Sequence, residues 1–405
     1  MTDNLRVNGD RLWASLMEMA KIGALPAGGC RRLALSDEDR EGRDLFTNWC
    51  KEAGCTIEID DFGNMFVLRR DGVNNDLPPI AIGSHLDTQP HGGKFDGVYG
   101  VLAGLEIIRT LNDAGIETEA PIEIINWTNE EGARFAPAML SSGVYADLFT
   151  REFAFSRTDV DGNTFEDELK RIGYQGDKAC GEHEIGYFLE AHIEQGPILE
   201  REEKTIGVVR GGQGQRWYDG IAQGQDAHTG STPMEGRDDA LLKAAEFTLA
   251  VRDIAHKYAP DAVATVGEMH VEPNSRNTIS GEVRLTVDAR NPDDDVLAQM
   301  DKDLRAAARK TGVEIDEIWH CPPVKFDETC VEAIQQATNK MVYPNRVMVS
   351  GAGHDACQVA RKIPTAMVFV PCEDGISHNE AESATPEDLE AGANVLLHAA
   401  LQLAK

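Results

Sequence analysis

No stretch of this 405-residue chain approaches the ~20 apolar residues of a membrane-spanning helix. The opening run, Met1-Thr-Asp-Asn-Leu-Arg6, is polar and lacks the apolar core of an export signal, so no export is expected. The eight cysteines contain no Cys-x-x-Cys pair. That excludes an obvious disulfide or zinc-ribbon framework and fits reduced, mostly buried thiols in a cytoplasmic protein. Basic residues are also scarce. With 39 Lys and Arg against 69 Asp and Glu, the formal charge is −30. Such a surface repels phosphate and speaks against nucleic acid, and nothing marks a membrane partner. An acidic protein that handles an anionic substrate therefore needs a local cationic pocket.

Against these absences, one stretch organises the rest: Ile80-Ala-Ile-Gly-Ser-His85-Leu-Asp87, then a glycine-rich loop to Asp96 and Gly100. The apolar run predicts a short buried strand. Beyond the loop, Val98, Val101, Leu102, Leu105, Ile108 and Leu111 recur at helical spacing. His85, Asp87 and Asp96 thus fall between a strand's carboxyl end and a helix start, where open α/β sheets hold their ligands. One imidazole and two carboxylates suit zinc, manganese or cobalt. An Asp at a helix start is also an ordinary cap.

The length argues for two domains. Helices are predicted over 10–22 and from Ser36, a plausible N-cap, to about Gly54, with strands at 56–59 and 65–68. Pro121 to Trp127 is a further β-branched strand, ending in Thr128-Asn129-Glu130-Glu131-Gly132. Neighbouring carboxylates there read either as a solvated turn or as a metal ligand beside a free proton carrier. Residues 147–184 are polar and irregular. Tyr187 to Ile193 is a strand carrying His192, with Glu194-Gln195-Gly196-Pro197 after it.

After a glycine-rich hinge at 211–214 the pattern becomes β-α-β-β-α-β: strands at 217–222, 263–270, 281–289 and 313–319, helices at 237–258 and 292–311. That order is ferredoxin-like. Strands near Val347 and over 365–370 follow, then Ser377-His378-Asn379-Glu380 and a closing helix. The expected fold class is α/β. A mixed-sheet catalytic domain of the phosphorylase/hydrolase-like kind, with helices on both faces, spans 1–212 and 321–405. A ferredoxin-like α+β lid or dimerisation domain, 213–320, is inserted into it.

Four strand-end loops thus carry His85/Asp87/Asp96, Glu130/Glu131, His192 and His378. With the insert, they resemble the dinuclear metal-dependent aminoacylase and carboxypeptidase superfamily over essentially the whole length. Gly83-Ser-His85-Leu-Asp87, His192-Ile-Glu-Gln195-Gly-Pro, Asp226-Ala-His228 and Ser350-Gly-Ala-Gly-His354-Asp355 are similar to the N-carbamoyl-L-amino-acid hydrolase, β-ureidopropionase and allantoate amidohydrolase branch. His192 separates that branch from peptidases, which present an acidic ligand there. Asn277-Thr-Ile279-Ser280-Gly281 lacks the proline of the family's small-domain motif but keeps its Asn and Gly.

The resemblance implies two divalent metal ions per subunit, zinc foremost, with manganese, cobalt or nickel as alternatives. His85, Asp96 and His192 would hold one, and Asp96, Glu131 and His378 the other, with Asp96 bridging. It implies a catalytic Glu130 that moves protons and an Asp87 that fixes the His85 tautomer. His228 would be an oxyanion donor reaching from a partner subunit, in a homodimer made through the insert. Gln195, Asn277 and Arg290 would bind the substrate. On the residues alone, His228 reads first as a surface histidine in a glycine-rich loop, and Arg290 has the alternative of a strand-edge Arg with a surface salt bridge. The activity implied is hydrolysis of the ureido group of N-carbamoyl-L-amino acids or N-carbamoyl-β-alanine. Allantoate amidohydrolase is the near alternative, followed by a metallo-aminopeptidase or dipeptidase, and last a non-catalytic binding protein.

Overall fold

The structure, a computed structural model, describes residues 4–69 and 76–405; residues 1–3 of the polar N-terminal run lie outside them. The elements run α1 (Gly9–Met19), α2 (Asp37–Glu52), β1 (Thr56–Ile59), β2 (Met65–Arg69), β3 (Ile80–His85), α3 (Val98–Asp113), β4 (Ile122–Trp127), α4 (Leu140–Tyr145), α5 (Arg151–Phe155), α6 (Phe165–Ile172), β5 (Tyr187–Ile193), α7 (Ile198–Arg201) and β6 (Ile206–Gly212). Next come β7 (Gly214–Gln223), β8 (Ala227–His228), α8 (Ala240–Lys257), β9 (Val263–Glu272), β10 (Thr278–Ile279), β11 (Glu282–Asn291), α9 (Asp294–Thr311) and β12 (Val313–Cys321). The chain ends with β13 (Val324–Lys325), α10 (Glu328–Met341), β14 (Asn345–Ser350), α11 (Asp355–Val359), β15 (Thr365–Val370) and α12 (Pro386–Leu403). It divides into two compact units, 1–211 with 325–405, and 212–324.

The first unit is built on a mixed sheet in which β4, β3, β5 and β15 lie side by side. All three pairings among these strands are parallel. Parallel central strands are covered on both faces, so they read as apolar runs without alternation; every residue of β3, β4 and β15 is buried. Because the four strands run the same way, their carboxyl ends, His85, Trp127, Ile193 and Val370, open onto one edge of the sheet. The four loops singled out in the sequence leave from that edge. β1 and β2 extend the sheet antiparallel beyond β4, and β6 does so beyond β15.

Local signals account for the helix starts. Ser36 Oγ accepts from the Asp39 N–H at 3.2 Å, which opens α2. The irregular stretch 147–184 contains the short α5 and α6, each capped by a threonine (Thr150, Thr164). Their few turns are too short for periodicity to register.

The second unit has sheet order β12-β7-β11-β9, antiparallel throughout, the ferredoxin-like arrangement. Its core joins Tyr218, Val283, Leu285 and Val287 of the sheet to Phe247, Val251, Leu297 and Leu304 of α8 and α9. The other sheet face carries the alternate residues, among them Trp217, Asp219, Arg284, Asp288 and Arg290. The β7–β11 ladder starts at Arg290↔Gln215 and Asn291↔Gly214 and reaches Glu282↔Gln223. It resumes as the short β8–β10 pair, Thr278↔His228 and Ile279↔Ala227.

Candidate metal centre

The β3 loop brings two donors. His85 is 1% exposed, and its Nδ1–H donates to the Asp87 carbonyl at 2.9 Å. That bond leaves the Nε2 lone pair directed into the site. Here the structure departs from the role expected of Asp87. The backbone carbonyl sets the His85 tautomer, while the Asp87 carboxylate lies 3.9 Å from Nδ1. The carboxylate instead accepts from the N–H groups of Glu130 and Glu131, at 3.3 and 3.2 Å, and so ties the β4 loop to the β3 loop. Side-chain direction within a tight loop is not legible from an i, i+2 spacing.

Asp96 closes the same loop. Gly97 is the centre of a tight turn, with Val98 N–H donating to the Asp96 carbonyl at 2.7 Å. The turn puts Gly97 at φ 66°, ψ −49°, which only glycine adopts readily. A Cβ there would also penetrate the His85 imidazole. From β5, His192 gives its Nδ1–H to the Ile193 carbonyl at 2.9 Å, and its Nε2 accepts the Gly97 N–H at 3.1 Å. In both rings Nδ1 is engaged by a backbone carbonyl, so Nε2 is the atom turned toward Asp96.

The Asp96 carboxylate is divided between two sets of partners. Oδ1 lies 3.1 Å from His192 Nε2 and 3.5 Å from His85 Nε2. Oδ2 lies 3.5 Å from His378 Nε2, which is in turn 3.4 Å from Glu131 Oε2. The ligand atoms of His85, Asp96 and His192 lie within 4.8 Å of one another, and so do those of Asp96, Glu131 and His378. Glu130 stands beside them, 7% exposed, with Oε2 3.6 Å from His85 Nε2. Two imidazoles with fixed tautomers, a carboxylate shared between two donor sets, and a second carboxylate–imidazole pair fit two adjacent divalent cations.

A third group, Glu190, His192 and His354, is also compact and buried. Its members are committed elsewhere: Glu190 accepts from Ser84 Oγ (2.6 Å) and the Ala356 N–H (3.0 Å), and His354 Nε2 meets Ser350 Oγ at 2.9 Å. His354 packs edge-on against His192, with ring centroids 4.6 Å apart. This cluster supports His192 from behind.

The electrostatics match the geometry. Burial drives the Glu130 and Glu131 carboxyls well above their usual range, and neighbouring carboxylates reinforce the shift. For His85, burial opposes protonation, but Glu130, Asp96 and Asp87 outweigh it and raise its pKa. Several carboxylates packed in a dry pocket repel one another, and a bound cation is the direct relief.

Residues not foreseen from the sequence hold this arrangement. Glu382 is 4% exposed and accepts from the N–H groups of Phe95 (2.9 Å) and Asp96 (3.1 Å) through Oε1, and from Ser377 Oγ (2.9 Å) through Oε2. It clamps the Asp96 turn to the His378 loop. Gln89 donates to Glu131 Oε2 at 2.6 Å. Arg43 of α2, fully buried and paired with Asp39, donates to Thr128 Oγ1 at the root of the Glu130 loop. Glu382 stands four residues after His378 and Gln89 two after Asp87, a proximity that was the available signal. Arg43 had none. Asn129, Gln195 and His378 all take positive φ (61°, 56° and 53°), a concentration of uncommon backbone at three of the four loops.

Gln195 Nε2 donates to Asp96 Oδ2 at 2.7 Å, and its Oε1 is buried without a hydrogen-bond partner. In the second unit, His228 is exposed, and its Nδ1 accepts from the N–H groups of Gly230 and Ser231, both at 3.1 Å. Nε2 therefore carries the proton and points outward as a donor. Asn277 is adjacent, its carbonyl accepting from the Thr229 N–H at 3.1 Å. Arg290 pairs with Asp288 two residues before it (2.7 Å) and stays partly exposed.

The sequence model of peptidase family M20/M25/M40 matches residues 81–402. Over all of this chain and 98% of the relative, the protein is 52% identical to an N-carbamoyl-L-amino-acid amidohydrolase of Rhizobium meliloti. It is 33% identical to a ureidoglycolate hydrolase of Arabidopsis thaliana, covering all of this chain and 88% of that one. A hydantoinase/carbamoylase-family amidase from Burkholderia multivorans, known from its crystal structure, is 58% identical. The superposition covers 99% of this chain and 98% of that one, with a TM-score of 0.96. With its four loops, its divided aspartate and this full-length likeness, the chain belongs to the M20/M25/M40 peptidase family, among its hydantoinase/carbamoylase amidases.

Proposed function

We propose that the protein is a cytoplasmic amidohydrolase that cleaves the ureido group of N-carbamoyl-L-amino acids or N-carbamoyl-β-alanine, R–NH–CO–NH2 plus water giving the amine, ammonia and carbon dioxide. The observation that carries this reading is the divided Asp96 carboxylate, set in a chain whose full-length relatives bear that name. Two divalent cations, zinc foremost and manganese, cobalt or nickel as substitutes, would be held by His85, Asp96 and His192 and by Asp96, Glu131 and His378. When bound, they supply Lewis acidity toward the ureido carbonyl and neutralise the charge that develops there.

The chain's own groups do the rest. Glu130 belongs to neither ligand set and is free to take a proton from the attacking water and return it to the departing nitrogen. The unpartnered Gln195 Oε1 suits the ureido NH2 as an acceptor. His228, with its proton on Nε2, is the donor for the developing oxyanion. Arg290 receives the substrate carboxylate, with Asp288 bracing its guanidinium, and Asn277 assists beside His228.

The second unit bears on assembly. Arg290 and the His228–Asn277 pair stand at opposite ends of one ladder. From Arg290 to Glu282 alone is roughly 27 Å at about 3.4 Å per residue. A substrate of dipeptide size spans about 7 Å. One copy of this unit cannot place both on the same molecule, so the reading requires two copies and hence a homodimer. β9 is a ten-residue edge strand exposing Val263 and Met269, and α8 exposes Leu242 and Leu249, the kind of edge a partner covers. Among the described residues no cysteine is in a disulfide, which suits a reducing compartment.

The test is ammonia release from N-carbamoyl amino acids, N-carbamoyl-β-alanine, allantoate, ureidoglycolate and dipeptides, before and after chelation and with Glu130→Gln. Turnover of a carbamoyl amino acid that is lost on chelation and restored by metal is expected. Allantoate or a dipeptide as the best substrate, or full activity after exhaustive chelation, would refute the reading.

A further inference from the structure

Two tryptophans share the outward sheet face with Arg290. In the ladder, Trp217 stands directly opposite Asp288, and Arg290 opposite Gln215, so Trp217 and Arg290 are diagonal neighbours. Diagonal pairs on one face lie about 7–8 Å apart. Trp319 faces Trp217 from β12, with ring centroids 4.7 Å apart. The two residues remain 41% and 40% exposed. Val263, opposite Arg290 on β9, is 51% exposed. Large aromatics are costly to leave half in water, and a tilted pair of them two positions from a cationic Arg290 calls for an occupant. Asp219 and Asp316, directly paired with each other, mark the charged part of that face beyond the rings.

We infer that Trp217 and Trp319 form the subsite for the substrate's side chain, and that the preferred substrates carry an aromatic or large aliphatic group. This rests on the carboxylate-anchoring role given to Arg290 above. A molecule held there by its carboxylate has the bonded length of one amino acid to spend before its side chain ends, and the tryptophan pair, with Val263 at its margin, offers apolar surface within that reach. A hydrogen in place of the side chain leaves the rings uncovered. An acidic side chain lies against them without a partner and is also repelled by Asp219 and Asp316 on the same face.

The holoenzyme, Trp217→Ala and Trp319→Ala are compared on N-carbamoyl-L-phenylalanine, N-carbamoyl-L-leucine and N-carbamoylglycine. Wild type should prefer phenylalanine and leucine over glycine in kcat/KM. Each variant should lose that preference about tenfold or more, chiefly through KM, and Trp217→Phe should restore most of it. Calorimetry with 3-phenylpropionate, which has the carboxylate and ring but no ureido group, should show at least tenfold tighter binding than acetate to wild type, and much less in the variants. An enzyme that cleaves no ureido compound but keeps this binding preference would sink the reaction proposed above and leave the subsite standing. Unchanged preferences in both variants would overturn the subsite, as would variants whose one effect is a lower dimer fraction.

Discussion

Replacing Gly97 by alanine tests the metal centre through its most constrained backbone position. The residue is the pivot of the turn between Asp96 and Val98, at positive φ with negative ψ. Forcing an alanine into such a region costs about 1–3 kcal/mol. The added Cβ would lie 2.5 Å from His85 Cδ2 and closer still to Cε1 and Nε2. Ordinary carbon contacts are about 3.5–4.0 Å, so the ring must retreat by about 1 Å. It is boxed in by burial and by its bond to the Asp87 carbonyl, and overpacking of this kind adds about 1–3 kcal/mol. Metal–imidazole bonds of ~2.0–2.1 Å tolerate only about ±0.2 Å. A ring displaced by five times that tolerance is no longer a ligand.

Gly97→Ala is therefore expected to lower affinity at the His85–Asp96–His192 position by at least about 100-fold, the upper end of what loss of mere supporting contacts costs. Metal content after dialysis, calorimetric titration of the metal-free protein and urea unfolding of the same sample separate the metal effect from the folding effect. A Gly97→Ala protein that holds its full metal complement with unchanged affinity would refute the reasoning, whatever its activity.

Glu382→Ala frees the Asp96 turn from the His378 loop, so metal affinity should fall ~10–100-fold, with an altered visible spectrum of the cobalt-loaded protein; an unchanged spectrum and affinity would count against the clamp. Mixing His228→Ala with Glu130→Gln protein should restore part of the activity that each lacks, and verified mixed dimers that stay inactive would dismiss a site shared between copies. A pH effect is expected far from the metals. Burial disfavours the charged form of His183, but Glu123 and Glu58, at 2.9 and 3.0 Å, outweigh it and raise its pKa. A raised histidine pKa contributes stability that is fully present below the unfolded value of ~6.5 and is lost as pH rises through the folded value. Burial also raises the Glu123 carboxyl, which acts in the same direction. His183→Gln should thus destabilise more at pH 6 than at pH 9 in denaturant titrations; an equal or reversed difference would contradict the pairing.

Much of this protein was legible residue by residue. The apolar runs of β3, β4, β5 and β15 announced buried strands because parallel strands covered on both faces admit few polar residues. Ser36 marked its helix because an N-cap is a local hydrogen bond. The four donor-bearing loops could be read because each directly follows its strand. Local chemistry determined these features, since each depends on neighbours only a few positions away.

The tertiary structure alone decided what depends on distant partners. Sheet order brought the ends of β4, β3, β5 and β15 to one edge, and that juxtaposition lets Asp96 turn one oxygen toward His85 and His192 and the other toward His378. It recruited Glu382 and Arg43, whose partners are 286 and 85 residues away along the chain. It showed that a carbonyl rather than the Asp87 carboxylate orients His85, and that His228 and Arg290 occupy opposite ends of one ladder. Periodicity records which side of an element is buried. It carries no information on which strand will lie alongside, nor on which atom of a side chain will face the neighbour that strand brings.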